Sequence, residues 1–170
     1  MNRAVLLLPL LFLLSCASVG PSAPPEARAE LAPTGRLRVG LIAVSPIFVT
    51  QNTPPGVTRG IAVDIARQLA DRLGVPLEAL RYPNERALME AEGKGEWDIA
   101  FIGINPARAE VVNFTAPYMY VDDAPIGIGV RKRRPAALAY VFEMVQEMKA
   151  SGAIREAVSR EGLAGARAAQ

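Results

Sequence analysis

The chain has 170 residues, a formal net charge of +2, one cysteine and no histidine. A single cysteine excludes an intramolecular disulfide and any cysteine-cluster metal site, and the missing histidine removes the usual zinc sites, the histidine general base and serine–histidine triads. The near balance of charge argues neither for nucleic acid nor against it, and the roughly 130 residues from Arg36 onward suit one domain with one core.

The chain opens with Asn2 and Arg3, then an apolar run from Ala4 to Leu14 that ends in "LLSC". A short basic start, an apolar stretch of this length and small residues read as a secretory signal over residues 1–15. The run is too short to span a bilayer as a helix. "LLSC" resembles a bacterial lipobox, which would make Cys16 the lipidated first residue of the mature chain and put the protein on the periplasmic or cell-surface side of a membrane. The other reading is an ordinary signal peptide with an incidental cysteine. Residues 16–35, rich in alanine and proline without apolar period, read as a flexible tether.

"LRVGLIAV" is a β-rich apolar run and predicts a buried strand. Ser45 to Arg59 reads as a long loop, with three prolines and a glycine. Ile61, Ile65, Leu69 and Leu73 recur at helical spacing. Asp64 sits in that helix's first turn, and Gly74 and Pro76 stop it. "PLEALRY" is a second strand, "NERALMEAEGKG" a helix capped by Asn84, and "WDIAFIGI" a third strand. "PARAEVV" predicts a short helix, "NFTAPY" an extended stretch, and "APIGIGVRK" a returning strand. In the helix that follows, Leu138, Val141, Phe142, Val145 and Met148 share a face, and "AIREAVSREGL" is a last short helix. Residues 163–170 read as a tail. The basic run Arg131 to Arg134 lacks interleaved aromatics and reads as a solvated turn, not a nucleic-acid patch. Strands alternating with helices imply an α/β fold whose sheet is mainly parallel, with about five strands, helices on both faces and one antiparallel returning strand. Ligands in such sheets bind beyond the carboxyl ends of the strands.

That position holds "GINPARAE". Asn105 caps and Pro106 fits the first helical position, where its missing N–H costs nothing. Arg108 follows in the first turn and can fork onto a carboxylate, while Gly103 lets a ligand approach the backbone. Two readings stand on these residues alone: a small carboxylate held at a helix start, or a surface arginine on an ordinary helix.

Four ordered motifs carry a resemblance. They are "LRVGL", the glycine-led helix start Gly60 to Ile65, "GEWDIAF", and "PARAEVVNFTAPY", followed by "IGIGVRKRRPAALAYVFEMVQEMKASGAIREAV". In this order the chain resembles the family 3 extracellular solute-binding proteins, the amino-acid-type receptors of bacterial ABC importers. Ala62 departs from the pattern, standing where the family prefers an acid. The resemblance implies that Arg108 grips a ligand α-carboxylate, that Gly103 adds a contact through its backbone N–H, and that Asn105 serves mainly as a cap. It sets Phe48 in a loop that often supplies an aromatic wall, and Asn84 and Glu85 in a loop bordering the cleft. Phe48 reads equally as a residue packed on the core.

The family folds as two lobes of a periplasmic-binding-protein type. Here "FTAPYMYVDDAP" runs almost directly into the returning strand, so the second lobe is missing near residues 120–125 and residues 36–162 form a single lobe. The implied function is a lipid-anchored receptor for a small amino-acid-like carboxylate, weakened by loss of a lobe, with an ABC permease as partner. It is not an enzyme and uses no cofactor or metal: Asp64, Glu85, Asp98, Asp122 and Asp123 offer no pair that splits acid from base. The alternative is a one-lobe remnant or adaptor that binds a protein or forms a homodimer over the former cleft.

Overall fold

The computed structural model describes residues 22–43, 45, 48 and 59–170. The leader, Cys16 and most of the loop from Ser45 to Arg59 lie outside the described residues. The elements in chain order are α1 (Pro25–Leu31), β1 (Leu37–Ile42), α2 (Ile61–Leu73), β2 (Leu77–Tyr82), α3 (Glu85–Gly93), β3 (Ile99–Gly103), α4 (Pro106–Ala109), β4 (Val112–Phe114), β5 (Met119–Val121), β6 (Ala124–Arg131), α5 (Pro135–Ala150), α6 (Ala153–Glu161) and β7 (Ala166–Ala168).

One seven-stranded sheet has the order β2-β1-β3-β6-β5-β7, with β4 also on β6. β1 pairs in parallel with β2 and β3, and β6 returns antiparallel between β3 and β5. β1 to β5 therefore run one way, and β6 and β7 the other. The α/β class is the expected one, with short strands added at the returning side.

The continuous apolar run of β3 is explained by its two covered faces. Ile99 and Phe101 face the main core with α2, α5 and α6, whereas Ala100 and Ile102 face a second cluster under α3. Gly40 belongs to that second face. A Cβ there would lie 2.5 Å from Leu88 Cδ1 and 3.2 Å from Trp97, so only glycine lets α3 settle this close to β1. Trp97 Nε1 donates to the Leu88 carbonyl at 2.9 Å and ties the middle of α3 to the start of β3. Phe142 is turned outward instead of sharing the buried stripe of Val141, Val145 and Met148; it is 42% exposed.

Two stretches depart from the sequence reading. Residues 25–31 are a helix and not part of a tether. Ala27 and Leu31, four residues apart, bury one side of it. Glu30 accepts from the Ala137 N–H at 2.7 Å and so caps α5, and Arg134 donates to the Glu30 carbonyl. The stretch read as a tail contributes β7, whose Ala168, Arg167 and Ala166 pair with Met119, Tyr120 and Val121.

Where a two-lobed chain would leave for its second lobe, β5 turns straight into β6. Val121 pairs with Ala124 across Asp122 and Asp123, whose φ angles are 46° and 66°. Two successive positive φ values are the geometry of a type I′ hairpin, and aspartate tolerates it better than most residues. The lobe is closed by a turn that matches the twist of its own strands.

Candidate functional site

Two described loops lie at the carboxyl ends of β2 and β3. The loop after β2 ends at Asn84, whose side chain accepts from the Ala87 N–H at 2.9 Å and caps α3. Glu85 is therefore held at the first position of that helix. The loop after β3 ends at Asn105, whose Oδ1 accepts from the Arg108 N–H at 2.9 Å, and Pro106 opens the single turn of α4. With that N–H used by the cap and only four helical residues behind it, the cationic feature of the site is the Arg108 side chain and not the helix terminus.

Arg108 folds back over the end of β3. Its Nη1 donates to the Gly103 carbonyl, Nε donates to Glu85 Oε1 at 2.6 Å, and Nη2 donates to Glu85 Oε2. This is the two-pronged geometry in which a guanidinium holds a planar carboxylate. Gly103 contributes its missing side chain as well as its carbonyl: a Cβ would lie 2.8 Å from Arg108 Nη1. The Arg108 side chain is 18% exposed and that of Glu85 46%. Arg108 is thus more enclosed than a lone lobe suggests, because Gly103 and Glu85 flank it.

Arg108, Gly103, Asn105, Glu85 and Asn84 are brought to this one end of the sheet. Phe48 is buried, 4% exposed, and belongs to the main core; its N–H donates to the Ser45 carbonyl at 3.1 Å. The acids considered for catalysis have other partners. Asp98 is fully buried, where Arg38 donates from its backbone N, Nε and Nη2 at 3.1, 3.0 and 2.8 Å, and Arg134 lies 3.8 Å away. Asp64 pairs with Arg67 and Arg160 at 3.2 and 3.1 Å. Three members of the basic run are engaged within the lobe: Arg131 pairs with Glu92 at 3.3 Å, Lys132 donates to the Ala109 carbonyl at 2.7 Å and Arg134 donates to the Glu30 carbonyl. A groove of about 710 Å³ beside α6 and β7, lined in part by Lys149, Arg155 and Arg167, shares no residue with the site.

Sequence reasoning named Arg108 and Glu85 separately and missed their pairing. They are 23 residues apart, and only the parallel placing of β1, β2 and β3 brings them together.

Known proteins resemble this chain. The arginine-bound form of domain 1 from TmArgBP is 29% identical, with a TM-score of 0.61 over 69% of this chain and 97% of that domain. A substrate-binding protein of an amino acid ABC transporter from Streptococcus pneumoniae, bound to L-arginine, shares the fold at a TM-score of 0.70 and 15% identity, over 79% of this chain and 97% of that one. A curated relative, the membrane-bound lytic murein transglycosylase F of Idiomarina loihiensis, is 26% identical over 142 residues, which is 82% of this chain. The chain spans 30% of that relative's length. The model of the bacterial extracellular solute-binding proteins, family 3, matches residues 37–160, most of the chain and every element from β1 to α6 but its last residue, and the chain belongs to that family.

Proposed function

We propose that this protein is a one-lobe receptor for an amino-acid-like solute, working outside the cytoplasmic membrane, with Arg108 as the grip on the ligand carboxylate. The observation that carries this reading is the forked face of Arg108, which already holds a carboxylate in bidentate geometry. Gly103, Asn105 and Asn84 position that face and its surroundings, and Phe48 lies in the core. A solved relative supports binding by one lobe, since domain 1 from TmArgBP is described in its arginine-bound form.

Binding is weak in this reading. A partly exposed ion pair is worth little, and no second lobe shuts out water. Cys16 serves as the lipid anchor, and an ABC permease is the partner that receives the solute. In this reading the protein is a binder and not an enzyme; Asp64 and Asp98, two of the acids considered, are engaged in ion pairs.

The test is a thermal-shift screen of the mature chain against the amino acids and related small acids. A ligand that binds only the folded state must raise the melting temperature. The expected result is a shift with one ligand class that Arg108→Ala removes. A clean melt with no shift at millimolar ligand would end the receptor reading and leave an adaptor that binds a protein or a second copy.

A further inference from the structure

The fork of Arg108 is filled by the protein itself. Nε and Nη2 both donate to the Glu85 carboxylate, and Nη1 is committed to the Gly103 carbonyl. The resemblance alone would make Glu85 a ligand contact. Its geometry gives it a different part: it stands where a bound carboxylate would stand.

We propose that Glu85 is a built-in competitor for the Arg108 fork and thereby sets which carboxylates the site accepts. This rests on the reading of Arg108 as the ligand grip. Two features let Glu85 act so. Its side chain is nearly half exposed, so it can swing out without unfolding anything. Its backbone is fixed at the start of α3 by the Asn84 cap, so it remains beside the site once displaced.

The consequence is selection by charge. A plain monoanion must displace Glu85 and then sit next to the released carboxylate, where like charges repel. A ligand that also carries a cation meets the released carboxylate as a partner, and one internal ion pair is exchanged for two external ones. Glu85 thus disfavours simple anions and favours zwitterions, a discrimination made partly by repulsion.

The test compares wild type, Glu85→Gln and Arg108→Ala by calorimetric titration with L-arginine and with pentanoate. Glu85→Gln keeps the size of the side chain and removes its charge. Pentanoate is expected to bind Glu85→Gln about fivefold or more tighter than wild type, the scale of one partly exposed ion pair, while L-arginine gains less. Equal affinities in wild type and Glu85→Gln, with loss in Arg108→Ala, would overturn the competitor and leave the receptor standing. A second readout needs no ligand. Phenylglyoxal modification of Arg108, followed by peptide mapping, is expected to be faster in Glu85→Gln than in wild type. An unchanged rate would overturn the competitor even if no probe bound any of the three proteins, whereas a faster rate without any binding would leave only a shield over Arg108 and would overturn both the receptor reading and the selection by charge that rests on it.

Discussion

At the scale of single residues, the site depends on an absence. Gly103 has no Cβ, and that lets the Arg108 guanidinium lie across the end of β3. Gly103→Ala places a methyl group 2.8 Å from Nη1, which must move. The atom displaced is the far end of a flexible side chain, so stability should change by less than about 1 kcal/mol. Ligand stabilisation in a thermal shift should nonetheless fall toward that of Arg108→Ala, and full retention would show that the fold-back is not needed. Tyr118 makes the opposite case. Its ring meets Phe101 edge-on at 5.8 Å, yet its hydroxyl is buried with no hydrogen-bond partner among the described residues. An unpaired buried hydroxyl costs stability, so Tyr118→Phe should raise the unfolding free energy by about 1 kcal/mol. A urea midpoint that falls instead would reveal a partner for that hydroxyl.

At the scale of elements, polar contacts decide where the helices and strands begin. Asp98 ties the start of β3 to the start of β1 through Arg38, whose own Nη1 also donates to the Gly95 carbonyl at 2.8 Å. The hydrogen bond to Asp98 holds the Arg38 pKa above its ordinary value, against the desolvation that would lower it. Asp98→Ala would leave Arg38 and Arg134, 17% and 20% exposed, without their shared carboxylate. Breaking one partner of a buried pair costs about 3–5 kcal/mol, a large share of a typical domain's stability. A urea melt should show that loss, and a change within error would mean that the two arginines reach water easily. The "GEWDIAF" strand was legible in the sequence, but this tie was not, since Arg38 and Asp98 are 60 residues apart. Helix α1 was hidden for a related reason. Its alanine–proline composition is that of a linker, and it is ordered by what it touches: the buried faces of Ala27 and Leu31, and Glu30 capping α5.

At the scale of the whole molecule, one sheet runs through the described residues, with β5 and β6 joined by the Asp122–Asp123 turn and β7 added at the edge. The stability of the lobe should decline in alkali. Burial, helped by the hydrogen bond to Glu96, pushes the Tyr82 hydroxyl up to about 12, and burial pushes Tyr118 up as well. In the unfolded chain both ionise near pH 10. Above that pH the unfolded chain holds fewer protons than the folded one, so stability falls as pH rises. The contribution is complete below about pH 10 and is lost as pH climbs through the folded value of Tyr82. Urea midpoints measured at rising pH should drop over this window, and Tyr82→Phe should blunt the drop. A parallel decline in Tyr82→Phe would assign it to other groups.

The sequence by itself determined the class of the fold, from apolar runs and helical periods, and the family, from a resemblance carried by ordered motifs. Asn-Pro before a turn and the arginine after it made Arg108 a candidate, and the resemblance implied its role. Only the tertiary structure decided what Arg108 holds, where Phe48 lies, and that residues 25–31 and 166–168 belong to the fold. The reason is physical. A cap, a strand or a helical stripe is written in neighbouring residues. A bidentate pair between Glu85 and Arg108, or a strand that completes a sheet with β5, exists only once the crossovers have brought distant segments together.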